Sequence, residues 1–287
     1  MSHFSIAGLQ LDLSTGDNLD VIANEIIKTK KRFPWLNMIV LSELASHGPE
    51  KKYATTFPSE AEQFYSQLAE EHDVWLIPGS MYEQAGTEIF NTTTVINNKG
   101  EIVERYRKIY PFYPYEDGVS CGQDFVVFDV PQGRIGVAIC YDLWFPEVAR
   151  QLTSIGAEVL IYPTLTGTID RPIELVMAQA TAATNQSYVI AINAAGNLGN
   201  GQSIVVGPEG NLIYQAGVGV EIIPFEVDFD LVRRNRERGL HNLGQPLKSF
   251  ANNQIQFSVY TDRAPLNDVL KELGLLAIPK NNVMKRK

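Results

Sequence analysis

Cysteine is scarce in this chain, with only Cys121 and Cys140. Two cysteines in 287 residues build no disulfide framework, and free thiols suit a reducing compartment. The histidines, His3, His47, His72 and His241, are few and scattered, without the clustered spacing of metal ligands. No metal is therefore expected. No apolar run approaches the roughly 20 residues that span a bilayer. The N-terminal stretch MSHFSIAGLQLDLSTGDNLD lacks a basic segment followed by an apolar one, so a cytoplasmic protein is expected. Net positive charge is missing as well. The 24 Lys and Arg stand against 33 Asp and Glu, a formal net charge of −9, which argues against nucleic acid or an anionic membrane as the main partner. The basic end Lys285-Arg286-Lys287 is too short to reverse that balance.

What is present has the composition of an ordinary globular protein, 45% hydrophobic and 20% charged. Residues 4–13 read as a strand, and Asp17-Asn18 can cap a helix whose Val21, Ile22, Ile26 and Ile27 form one apolar stripe. Residues 38–41 make a buried strand that ends at Ser42-Glu43, Ser59 opens a second helix, and residues 74–78 are a third strand. This alternation is the signature of an α/β layered sheet. Residues 90–96 and 102–106 flank the turn Asn97-Asn98-Lys99-Gly100 as a hairpin, after which the aromatic loop PFYPYEDGVSCGQD follows Arg107-Lys108. A second series follows: a hairpin over 125–139, a helix from Pro146, a strand at 159–163, a helix over 171–185, a strand at 188–193, a hairpin around Pro208-Glu209-Gly210, a strand at 222–227 and a charged helix over 229–238. Both halves alternate strands with helices and insert a hairpin, so two sheets could pack face to face in a four-layer α-β-β-α sandwich. No linker divides the chain before about Gly244, giving one α/β domain over 1–244 and a C-terminal tail over 245–287.

Three ionisable residues fall at strand ends, where open α/β sheets bind ligands: Glu43 after MIVLS's strand, Lys108 after VERYR and Cys140 after GVAI. Cys140 also precedes the helix start Phe145-Pro146-Glu147, whose dipole can lower a thiol pKa. A carboxylate can deprotonate the thiol, the thiolate can attack a carbonyl carbon, and an ammonium can hold the oxyanion. By placement alone a cysteine in an apolar run is more often an inert core thiol. The ordered presence of Glu43 and Lys108 reverses that reading.

ICYDLWFPE, with YRKIYPF and SELASHG upstream, resembles the nitrilase superfamily of carbon–nitrogen hydrolases, amidase-type branch. The similarity runs over residues 4–238 and includes the hairpin around PEG and NQSYVIAINAAG. It implies a Glu-Lys-Cys triad on an α-β-β-α sandwich, with Glu43 as general base, Lys108 on the transition state and Cys140 as nucleophile. It further implies that Glu116 holds the lysine and orients the substrate, that the main-chain N–H of Tyr141 completes an oxyanion hole, and that no cofactor is needed. Ser42 departs from the proline usual before the glutamate, and Trp144 stands where many amidase members carry arginine, which weakens the case for a carboxylate-bearing substrate there. Tyr113, Tyr115 and Trp144 are candidates for an aromatic pocket wall, and Thr164 and Thr166 for the acyl pocket. Asp142 and Glu147 read as structural, Cys121 and His47 as bystanders, and NAAGNLGNG as a turn near the site.

The implied function is a thiol amidohydrolase that cleaves a C–N bond of a small linear amide or carbamoyl compound through a thioester, releasing ammonia or an amine. A nitrilase is the alternative within the superfamily; Tyr141-Asp142 after the cysteine, where nitrile-hydrolysing members have Trp-Glu, favours amides. A catalytically silent scaffold of the same fold is the alternative from another class. The apolar positions of the tail (Val269, Leu270, Leu273, Leu275 and Leu276) and its strand-like segment predict packing across a partner subunit in a homodimer or higher homo-oligomer.

Overall fold

The computed structural model describes residues 2–113, 115–257, 259–260 and 268–277. In chain order the elements are β1 (His3–Gln10), α1 (Leu19–Arg32), β2 (Met38–Leu41), α2 (Glu60–Glu71), β3 (Trp75–Ile77), β4 (Ser80–Ala85), β5 (Glu88–Ile96) and β6 (Ile102–Arg107). The second half runs β7 (Val126–Val130), β8 (Gly133–Val137), a 3-10 helix at Cys140–Trp144, α3 (Pro146–Ser154), β9 (Val159–Thr164), α4 (Arg171–Asn185), β10 (Tyr188–Asn193), β11 (Ile204–Val206), β12 (Leu212–Gln215), β13 (Glu221–Asp228) and α5 (Phe229–Arg238). The tail carries α6 (Pro246–Ala251) and α7 (Asp268–Glu272).

Strands buried on both faces read as unbroken apolar runs, and β2, β9 and β10 are buried along their whole length. They form the middles of two sheets. The first has the order β13-β1-β2-β3-β5-β4, with β6 also paired to β5; the second has the order β12-β11-β10-β9-β8-β7. The pairs β1–β2, β2–β3, β8–β9 and β9–β10 are parallel, so the ends of these strands gather at common edges.

The pleat of β1 and β2 sorts their residues into two cores. Phe4, Ile6, Met38 and Val40 pack with Val137, Ile161 and Ile190 of the second sheet and with Val148, Leu152 and Leu175 of α3 and α4. Ala7, Leu9, Ile39 and Leu41 pack instead on Ile22, Ile26, Tyr65 and Leu68 of α1 and α2. The layers are therefore α1/α2, first sheet, second sheet, α3/α4, the four-layer sandwich expected from sequence. Gly8 permits the close approach of the sheets, because a Cβ there would lie 2.2 Å from Ile192 Cδ1. Gln10 bolts them further, accepting from Ser203 N at 2.9 Å and Ser203 Oγ at 2.8 Å.

Three local expectations differ from the structure. The α1 stripe is narrower than the four residues predicted: Ile22 and Ile26 are fully buried, whereas Val21 and Ile27 are 51% and 40% exposed. At 100° per residue the outer pair swings off the core line. β4 is absent from the sequence reading because its SMYEQA has no apolar alternation, yet it pairs with β5 from Ser80↔Thr93 to Ala85↔Glu88. The strand-like tail segment forms no strand among the described residues, and Ser258, residues 261–267 and the Val269 side chain lie outside them. Leu273, Leu275 and Leu276 are exposed within the chain. Among the described residues no helix is long and apolar enough to cross a membrane, and no cluster of three or more His, Cys, Asp or Glu could hold a metal ion.

Candidate active site

Glu43 leaves the end of β2 and is fixed from the second sheet, its backbone N–H donating to Thr164 O at 3.1 Å. The turn that follows bends through Leu44 at φ +51° and is tied to β4 by Leu44 N donating to Ser80 Oγ at 3.0 Å. Gly79 makes this contact possible. Its φ is +76°, and a Cβ would fall 1.8 Å from the Ser42 carbonyl oxygen.

Lys108 follows β6 and is held to β5 by its N–H donating to Asn91 O at 2.8 Å. Its ammonium donates to Glu43 Oε1 at 2.8 Å and to Glu116 Oε2 at 2.5 Å. Glu116 reaches inward from a turn closed by its own N–H donating to Phe112 O at 2.9 Å, and its Oε2 also accepts from Phe112 N at 2.6 Å. The side-chain amide of Asn91 donates to Glu43 Oε1 and to Glu116 Oε1, both at 2.8 Å. All four side chains are buried, so each missing partner would leave a costly unpaired group.

Cys140 begins the 3-10 helix at φ +45°, a left-handed conformation unusual outside glycine. Asp142 holds this elbow, accepting from Ile139 N at 2.9 Å, Tyr110 N at 2.9 Å and Tyr106 Oη at 2.7 Å. The thiol lies 3.9 Å from Thr166 Oγ1. The Tyr141 amide has no hydrogen-bond partner among the described residues.

The ionisation of these groups is set jointly. Burial pushes the Cys140 thiol well up, the Glu43 carboxylate adds to that rise, and the Lys108 ammonium opposes it. The sequence-based expectation of a thiol lowered by a helix end is thus corrected. The 3-10 turn intervenes and α3 starts only at Pro146, so the thiol lies outside the first helical turn in which the dipole effect is concentrated. Burial also raises Glu43, against the pull of Lys108. Burial alone would lower Lys108, but Glu116, Glu43 and Cys140 together hold it well above its ordinary value. The cluster is thus a charged lysine between carboxylates, beside a protonated thiol and a carboxylate primed to receive its proton.

A cavity of about 460 Å³ opens on this cluster, and Glu43, Lys108, Glu116 and Cys140 all line it. Of the further residues expected from sequence, Tyr141, Trp144, Tyr115 and Thr166 also line it. Tyr113 and Thr164 do not. Tyr113 instead lies on the exposed side and donates to Asp117 Oδ1 at 2.8 Å. Thr164 is fully buried and meets the site only through its carbonyl.

Three contributors have no motif in the sequence reading: Asn91, Asp170 and Glu174. Asn91 did leave a signal, a poor strand former in the middle of β5 and fully buried. Glu174 lines the cavity from the first turn of α4, accepting from Trp144 Nε1 at 3.3 Å and Arg171 Nη1 at 2.9 Å.

The carbon–nitrogen hydrolase family profile matches residues 6–237. The chain belongs to the carbon–nitrogen hydrolase family. Omega-amidase NIT3 of Saccharomyces cerevisiae is 31% identical over 285 residues, spanning 90% of this chain and 94% of that protein. The crystal structure of that yeast protein, described as a member of branch 10 of the nitrilase superfamily, matches with a TM-score of 0.76 over 82% of this chain and 93% of its own. Omega-amidase NIT2 of Homo sapiens is 30% identical over 261 residues, 83% of this chain and 93% of that protein. A carbon–nitrogen hydrolase from Helicobacter pylori, 25% identical, matches with a TM-score of 0.77 over 89% of this chain and 97% of its own. As a carbon–nitrogen hydrolase, this protein is an amidase-type hydrolase of the nitrilase superfamily that acts on C–N bonds other than peptide bonds.

Proposed function

We propose that the protein hydrolyses a small linear amide or carbamoyl compound through a thioester on Cys140. The observation that carries this reading is the convergence of Glu43, Lys108, Glu116 and Cys140, from four separate strand ends and loops, on one cavity. The names of the yeast and human relatives, both omega-amidases, favour an amide over a nitrile.

Glu43 takes the thiol proton as Sγ attacks the carbonyl carbon, and the developing oxyanion is met by Lys108 Nζ and the unengaged Tyr141 N–H. Glu43 returns the proton to the departing nitrogen, the C–N bond breaks, and ammonia or an amine leaves the acyl group on sulfur. A water that gives its proton to Glu43 then attacks the thioester, the C–S bond breaks, and the proton restores the thiol. Glu116 and Asn91 position the lysine and the base without touching the reacting carbon. A reducing cytoplasm suits the two free cysteines.

Intact-mass analysis during turnover of an amide panel tests the mechanism. The expected result is a transient acyl adduct on Cys140 during turnover by the wild type, loss of both adduct and ammonia release in Glu43→Gln, which lacks the base needed for acylation, and no ammonia release from Cys140→Ala. Undiminished turnover by Cys140→Ala would overturn it.

A further inference from the structure

The cavity is asymmetric in charge. Lys108 gives two of its three donors to Glu43 and Glu116, and the proposed mechanism uses the third on the oxyanion, so its ammonium is no counter-ion for a remote part of a ligand. The other charged side chains lining the cavity, Asp170 and Glu174, are both acidic, and no second cation lines it among the described residues.

Their environments differ in an informative way. Glu174 is neutralised from behind by Arg171, which is wholly buried and spends its other arm on Gln202 O at 2.8 Å. Its two oxygens still keep acceptor capacity beyond the Trp144 and Arg171 bonds. Asp170 has no ion-pair partner among the described residues; a carboxylate oxygen accepts only the Thr168 hydroxyl. The loop that carries it is pinned, with Asn200 N donating to Thr166 O at 2.9 Å and Asn200 Nδ2 to Thr168 O at 3.0 Å. Facing the same space is a run of aromatic rings, Phe112 to Tyr141 at 4.7 Å and Tyr141 to Trp144 at 5.7 Å between centroids. Aromatic faces beside an unpaired carboxylate form a recognition set for an ammonium or guanidinium group.

We propose that the enzyme prefers amides whose acyl chain ends in a cationic group and discriminates against those that end in a carboxylate. The proposal rests on the thiol-amidohydrolase reading above and names its substrate class. A cationic end meets Asp170 and the rings, whereas a carboxylate end meets Asp170 with no cation on the cavity wall to offset it, the Glu174 charge being already matched by Arg171. Trp144, in place of a guanidinium, contributes a π face and gives its only N–H to Glu174.

Ammonia release by the full chain from three amides of matched length, δ-aminovaleramide, hexanamide and glutaramate, tests this. The expected order of kcat/KM is cationic, neutral, anionic, with about tenfold between the first two, as one screened ion pair and a cation–π contact would supply. Asp170→Asn reduces that ratio severalfold, and added salt reduces it in the wild type. Glutaramate cleaved as well as δ-aminovaleramide, or a ratio unmoved by Asp170→Asn, would overturn the proposal. Hexanamide cleaved without any charge preference overturns this proposal alone. No ammonia from any amide, with no adduct on Cys140, overturns the thiol-amidohydrolase reading and this one with it.

Discussion

The Tyr106 hydroxyl donates to Asp142 Oδ2 at 2.7 Å, joining the strand that delivers Lys108 to the turn that delivers Cys140. Both residues are buried, at 1% and 0% exposure. Lysine and thiol sit in different sheets, and this bond crosses between them. Tyr106→Phe deletes one donor to a buried carboxyl group and leaves the ring in place. It should cost about 1–3 kcal/mol of unfolding free energy. Urea denaturation with an unchanged slope and a lower midpoint is the expected record; an unchanged midpoint would show that the bond has no net worth.

The pH dependence of turnover follows from Glu43. Burial, helped by the Glu116 charge and opposed by Lys108, holds its carboxyl above the ordinary value of 4.5. Glu43 must be ionised to take a proton, so kcat/KM should fall as pH drops through a value above 4.5. Glu116→Gln removes the like charge and leaves Lys108 to Glu43 alone. The acid limb should then move to lower pH while kcat declines, and a limb that stays in place would argue against Glu43 as the base.

Stability responds to Glu116 with the opposite sign. Burial would raise its carboxyl, but the Lys108 charge and the hydrogen bonds from Lys108, Phe112 N and Asn91 hold it below its ordinary value of 4.5. A carboxylate with a depressed folded pKa stabilises above its unfolded pKa and loses that contribution as pH falls through the folded one. The stability gap between wild type and Glu116→Gln should therefore be widest at neutral pH and close in acid, as followed by urea unfolding at a series of pH values. A gap independent of pH would contradict the charged pair.

The fold was largely legible because its central strands are buried on both faces and announce themselves as apolar runs, as at residues 38–41, 159–164 and 188–193. Glu43 and Cys140 were legible because each stands at the end of such a run, whereas Lys108 follows the mostly exposed β6 and was legible through the motif YRKIYPF. β4 was not, since its pairing with β5 is decided by backbone hydrogen bonds and the turn at Gly86, not by side-chain period. Asp170 and Glu174 were hidden for another reason. A residue at a helix start can face solvent, core or cavity, and only the three-dimensional course of the preceding loop settles which.

The tail should mediate self-association. Phe250, Ile255, Phe257, Val259 and Tyr260 are exposed at 49–65% in the single chain, an apolar density that isolated surfaces seldom carry. Sedimentation at micromolar concentration should give a homodimer or larger, and removal of residues 245–287 should shift it toward monomer. A full-length monomer would refute the association.

Asn91 is the sharpest test of how the cluster is held. Its amide nitrogen bridges Glu43 and Glu116 at 2.8 Å each, while Lys108 bridges the same two carboxylates from another side. With the amide deleted, Glu116 Oε1 loses its donor, Glu43 Oε1 keeps only Lys108, and the carboxylates repel across the gap. Asn91→Ala should cost about 2–4 kcal/mol of stability, one unsatisfied buried polar group or two. It should also slow kcat by about 10–100-fold, as misplacement of a base and an electrophile does. Asn91→Asp should be worse at neutral pH, because it adds a third carboxylate around one ammonium, and should recover relative to Asn91→Ala as the solution is acidified. That crossing of the two pH profiles is the signature of a positioning residue acting through charge; parallel profiles would reduce Asn91 to simple packing.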